Sequence, residues 1–140
     1  MAVLTDMTPA QATALWSGLM ILLMVVLSVG VVLARRGNRV VLGDGGNAQV
    51  TLSSRVFGNA AEYIPVGIAA LVALTLLGLP AYAIHAVGGT LLLGRLLHAI
   101  GLSDRKPTAG RVGGMMLTYL ALFVAGGMLV VHAFVGSPHG

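Results

Sequence analysis

Cysteine is absent from the 140-residue chain. Its absence excludes a disulfide framework, a thiolate metal site and a cysteine nucleophile. The four histidines, His85, His98, His132 and His139, lack the close spacing of a zinc site, so no metal is expected. Charge is nearly as scarce. Only 9% of residues are formally charged, against roughly 25% in an ordinary soluble domain. With 57% hydrophobic residues and a mean hydropathy of +0.96, the chain has too much apolar surface for disorder. At single-domain length this composition points to an all-α bundle of membrane helices. The net charge of +4 and a pI near 10.4 do not make it a nucleic-acid binder. Only eight Lys and Arg are present, and most sit at apparent membrane boundaries.

The hydrophobic runs divide into four spans, at about 11–34, 53–79, 81–102 and 111–134, in one membrane domain covering 1–140. The first run, 15–33, carries no charge, and a hydrocarbon core needs roughly 20 apolar residues. It is not expected to be a cleavable signal, because the first basic residue, Arg35, follows the run. Residues 63–94 are 32 formally uncharged positions in a row, too many for one helix. Gly78-Leu79-Pro80 divides them, glycine ending one helix and proline opening the next. The polar stretch 37–52, with Gly43-Asp44-Gly45-Gly46-Asn47, reads as an irregular loop, and the tail 136–140 as a short polar end. Arg35, Arg36, Arg39 and Arg55 border the first loop, and Arg105, Lys106 and Arg111 border the third. The second loop and both termini have neither Lys nor Arg. By the positive-inside rule, loops one and three are expected in the cytoplasm and both termini outside.

Glu62, Arg95 and His98 fall well inside these spans, with Arg55 near a boundary. A charge at mid-bilayer costs roughly 2.5–3.5 kcal/mol on insertion scales unless it is paired or faces water. Arg55, Asn59 and Glu62, at i, i+4 and i+7, form one polar stripe over two helical turns, flanked by Tyr63. Pro65 follows and frees a backbone carbonyl. If spans two and three form an antiparallel hairpin about Pro80, Glu62 lies level with His98 and Arg55 with Arg105, and Arg95 lies within a turn of His98. Two readings follow. A Glu–Arg pair would merely fix helix register, at a net stabilisation near zero. Alternatively, the excess of arginine marks a basic cleft for a small ligand with carboxylates, leaving Glu62 for an ammonium.

Other features carry less chemistry. Gly88-Gly89, Gly94, Gly113-Gly114 and Gly126-Gly127 are expected to permit close helix packing. Trp16, Tyr82 and Phe134 read as interfacial belt residues, His85 and His132 as packed or interfacial, and the seven methionines as packing.

The stretch Arg55-Val56-Phe57-Gly58-Asn59-Ala60-Ala61-Glu62-Tyr63-Ile64-Pro65 resembles the R-x-x-x-N-x-x-E-[YF]-x-P signature of the MAPEG family, the membrane-associated proteins of eicosanoid and glutathione metabolism. Gly94-Arg95-Leu96-Leu97-His98-Ala99-Ile100-Gly101 resembles the third-helix motif of its bacterial branch. Ala34-Arg35-Arg36 resembles the basic end of the family's first helix. The likeness extends over nearly the whole chain in span number, order and length. It implies a left-handed four-helix bundle, assembled as a homotrimer in a bacterial inner membrane, with glutathione bound between neighbouring subunits. By resemblance, Arg55, Asn59, Glu62 and Tyr63 would contact glutathione, joined by Arg35 or Arg36 from span one and by Arg95 and His98 from span three. Eicosanoid-forming members have tyrosine where His98 stands. They also have a thiol-activating arginine after span three; an ungapped match puts Ala109 there, with Arg105 and Arg111 nearby as the candidates.

The physical reading and the resemblance agree on the ligand. Glutathione carries two carboxylates, an ammonium and a thiol that a nearby guanidinium would push toward thiolate. The implied activity is a detoxifying glutathione transferase, extending to peroxidase activity on hydroperoxides, with glutathione as co-substrate and a lipophilic electrophile entering from the membrane lipids. The alternative is a non-catalytic family member that binds a lipid or a partner. A small proton-coupled exporter fits less well, because such exporters rely on a carboxylate in the first span and this first span has none.

Overall fold

The computed structural model describes residues 6–102 and 108–135. Among these residues the chain forms four helices and no strand: α1 (Pro9–Gly37), α2 (Ala48–Leu76), α3 (Ala81–Leu102) and α4 (Ala109–Val135). The shortest, α3, has 22 residues, about 33 Å at 1.5 Å per residue, enough for a hydrocarbon core of about 30 Å. All four are long and apolar enough to cross a membrane. The molecule is a multi-pass helical bundle.

The helix ends follow local chemistry. Thr8 opens α1 with a capping box: its hydroxyl accepts from the Gln11 amide at 3.2 Å and its own amide donates to Gln11 Oε1 at 2.9 Å. Pro9 takes the first helical position, where its missing N–H costs nothing. Helix α2 starts at Ala48, five residues before the expected 53, because Asn47 Oδ1 accepts from the Gln49 and Val50 amides. Hydropathy hides that first turn, whose residues include Gln49 and Thr51. Helix α2 also ends at Leu76, earlier than 79, in a Schellman motif. The Gly78 amide donates to Thr75 O and the Leu79 amide to Leu74 O, with Gly78 at φ 76°. Only glycine takes that conformation without cost, and Pro80 then opens α3. The expected break at Gly78-Leu79-Pro80 is therefore present.

Helix α3 is the most enclosed: 11 of its 22 residues are buried, against four of 29 in α1. Its neighbours explain why. A Cβ on Gly94 would lie 2.9 Å from Gly114 O, one on Gly101 2.2 Å from Arg111 N, and one on Gly114 2.4 Å from His98 N. Helices α3 and α4 thus touch backbone to backbone, and α3 packs more extensively on α4 than on α2. The hairpin of spans two and three is a weaker contact than the sequence suggests. Gly113, Gly126 and Gly127 make no close approach within the chain.

Helix α1 docks through Trp16, whose side chain fills the notch at Gly88 and donates from Nε1 to His85 Nδ1 at 3.0 Å. Trp16 is therefore a packing residue inside the bundle, not a belt residue. Its indole reaches a polar partner within the bundle, so it has no need of the interface. Tyr82 and Phe134 remain exposed. His132 donates from Nδ1 to Met128 O within its own helix. The core of the bundle is apolar: Met20, Ile64, Leu71, Leu74, Ile84 and Leu91 are all fully buried.

Candidate functional site

At the end of the bundle that carries loop 38–47, helices α2, α3 and α4 and the last turn of α1 surround a cleft of about 1140 Å³. Arg35, Arg55, Asn59, Glu62, Tyr63, His98 and Arg111 line it. The sequence stripe on α2 therefore does face one space, shared with residues from the other three helices. Arg36 is turned to a different groove. Arg95 lies behind the cleft wall, 1% exposed. Arg105 falls outside the described residues.

Arg95 organises the wall. Its Nη2 donates to Asn59 Oδ1 and its Nη1 to Thr118 Oγ1 at 3.4 Å, with Met115 Sδ at 3.9 Å. Its guanidinium carbon lies 5.3 Å from the Tyr63 ring centroid, a cation–π contact. Nε has no partner and is buried. A buried cation held by an amide, a hydroxyl and a ring, with no carboxylate in direct contact, fixes α2, α3 and α4 together. The direct Glu–Arg contact of the register-pair reading does not form. No ion pair is present among the described residues, and both Arg55 and Glu62 stay exposed on the cleft.

His98 is 5% exposed and its Nδ1 lies 3.0 Å from Arg111 O. A carbonyl only accepts, so Nδ1 bears the proton and, in the neutral ring, Nε2 is left as an acceptor. The same contact anchors the first turn of α4, leaving the Arg111 side chain in the cleft.

The remaining lining was not singled out from the sequence. Tyr119 faces Tyr63, with hydroxyls 3.4 Å apart and rings edge to face. Val112, Met115, Met116 and Tyr119 make an apolar wall on α4, and the spacing i, i+3, i+4, i+7 could have revealed it as one face. Asp44 and Thr51 close the loop side. Asp44 accepts from the Gly46 amide at 3.1 Å and Thr51 Oγ1 at 3.0 Å, bonds that hold its pKa below the ordinary 3.8. Among the described residues no group of His, Asp and Glu could hold a metal.

A four-helix membrane bundle with an open cationic cleft set among its apolar spans is the class of protein these features define. The sequence profile of the MAPEG family matches residues 13–131, and the chain belongs to that family. It is similar to the inner membrane protein YecN of Escherichia coli K12, with 37% identity over 114 residues, covering 81% of this chain and 86% of YecN. YecN of the O6:H1 strain matches to the same extent.

Proposed function

We propose that the cleft binds glutathione and delivers its thiolate to a lipophilic electrophile, making the protein a glutathione transferase. The observation that carries this reading is the set of cations around the cleft. Arg35, Arg55 and Arg111 line it together, and none has an ion-pair partner among the described residues. Exposed guanidiniums around a concave space match a ligand with two carboxylates, and Glu62 on the same wall matches its ammonium. Asn59, Tyr63 and His98 add hydrogen-bonding groups, with Arg95 acting from behind through Asn59 and Tyr63. The apolar wall of α4 is exposed at Val112, Met116 and Tyr119, which suits a second substrate entering from the bilayer. The similarity to an inner membrane protein of E. coli supports an inner-membrane location, with loops one and three on the cytoplasmic side by their charge.

We assign thiol activation to Arg111, the cleft cation at the start of α4. A guanidinium beside a thiol stabilises the thiolate and lowers its pKa. Assembly as a homotrimer is part of the proposal, because Arg55 and Glu62 are exposed within an otherwise apolar bundle and a facing subunit would remove them from hydrocarbon. Arg111→Gln is expected to lower the rate of conjugation to an aromatic electrophile about 10- to 100-fold at neutral pH, while glutathione still binds. Wild-type rates in Arg111→Gln would overturn its role. Glutathione binding without conjugation of any electrophile by the wild type would favour a non-catalytic binding protein.

A further inference from the structure

The end of α1 carries a second basic groove, which shares only Arg35 with the lining of the cleft. Its volume is about 410 Å³, and it is lined by Arg35, Arg36 and Arg39 with Val32, Val40 and Val41. Helix α1 stops there in a Schellman motif: the Arg39 amide donates to Arg36 O and the Val40 amide to Arg35 O. The residue in the left-handed position of this motif is Arg39, at φ 56°, where glycine is the usual occupant. The same motif at the end of α2 does use glycine, at Gly78. An L-residue in this conformation carries backbone strain, and here the strain sets a third guanidinium beside Arg35 and Arg36.

Asp44, on the same loop, is occupied by the Gly46 amide and the Thr51 hydroxyl. It feels the charge of Arg35, but no carboxylate forms an ion pair with Arg36 or Arg39 among the described residues. The loop itself is built, not slack. Asn38 Nδ2 donates to Ala34 O and Gln49 Oε1, and Asn47 Nδ2 donates to Asn38 Oδ1, tying the end of α1 to the start of α2. That frame presents Val41 and Leu42 outward at 88% and 85% exposure. Two bare aliphatic side chains beside three cations, just past the end of an apolar span, match the bilayer interface. From the groove an exposed apolar stripe, Val25, Val29 and Val32, runs back along α1 into the spanning region.

We propose that this groove binds the phosphate of an anionic phospholipid, with Val41 and Leu42 seated among the headgroups and an acyl chain lying on the α1 stripe. Clustered guanidiniums at a membrane boundary recognise phosphate by charge and paired hydrogen bonds. The apolar surroundings select a lipid over a free anion. The site is separate from the glutathione reading. Arg35 touches both spaces, so Arg36 and Arg39 are the residues to test.

The experiment is thermal unfolding of the full-length protein in a zwitterionic detergent, with added phosphatidylglycerol, phosphatidylcholine or inorganic phosphate, alongside native mass spectrometry of retained lipid. Phosphatidylglycerol should raise the Tm and remain bound, while phosphatidylcholine and inorganic phosphate should do neither. Arg39→Gly relieves the left-handed strain, so it should unfold no earlier than wild type without lipid, yet lose most of the phosphatidylglycerol shift. Arg36→Gln should also lose it, and Arg55→Gln, a cation on the cleft, should keep it. An equal shift with phosphatidylcholine or inorganic phosphate overturns the proposal. So does a full shift in Arg39→Gly, or a loss in Arg55→Gln matching that in Arg36→Gln.

Discussion

Asn59→Leu should destabilise the bundle by about 3 kcal/mol, through the loss of a single hydrogen bond to a buried cation. Asn59 Oδ1 accepts from Arg95 Nη2, and Arg95 is 1% exposed with Nε already unpartnered. Leucine keeps approximate volume but removes the strongest acceptor, leaving Thr118 Oγ1 at 3.4 Å and Met115 Sδ at 3.9 Å. A guanidinium cannot shed its charge to adapt. Adding Arg95→Met should recover much of the loss, because the double variant no longer buries an unpaired cation. Thermal unfolding in detergent checks both. An unchanged Tm for Asn59→Leu, or a double variant less stable than the single, would contradict this account of the wall.

Gly114→Val should be at least as severe, roughly 3 kcal/mol or more, by overpacking. Its Cβ would sit 2.4 Å from His98 N, 2.6 Å from Gly94 O and 2.8 Å from His98 Cα. These atoms are backbone or fixed to it, so no side chain can swing aside, and α3 and α4 must separate. Separation would also break the contact from His98 Nδ1 to Arg111 O that anchors the start of α4 at the cleft. Gly113→Ala is the matched comparison. Its added methyl meets nothing within 4 Å, so its change in stability should stay within about 1 kcal/mol. Similar unfolding temperatures for the two variants would show that α3 and α4 do not touch as described.

Much of the architecture was legible because its signals are one-dimensional. Hydropathy marks four spans, and Gly78-Leu79-Pro80 spells a helix stop and start whose Schellman bonds are present. The first turn of α2 was not legible. The capping of Gln49 and Val50 by Asn47 lies inside a polar stretch that averages as loop. Helix pairing also escaped, because mirror positions about Pro80 favour α2 against α3, whereas backbone contact at Gly94, Gly101 and Gly114 draws α3 onto α4.

The site was legible by chemistry and less so by depth. Arg55, Asn59 and Glu62 stand out as polar residues in apolar sequence, and all three reach one cleft. Arg95 stands out equally, but no sequence rule separates a cation lining a cavity from one buried behind it through Asn59 and Tyr63. Tyr119 was missed for the opposite reason. It lies in the apolar fourth span, and its meaning comes only from Tyr63 across the cleft.

We propose that the cations on α1, α2 and α4, none of them ion-paired among the described residues, receive the carboxylates of glutathione. Titration calorimetry of glutathione into detergent-purified wild type and Arg55→Ala, both shown to be folded, tests it most directly. Arg55 is exposed on the cleft and makes no ion pair with any described residue, so its removal should leave the fold intact. Saturable binding by wild type is expected, with a loss of about tenfold or more in affinity for Arg55→Ala, the scale of one charge-assisted contact. No binding by folded wild type, or equal binding by both proteins, would contradict it.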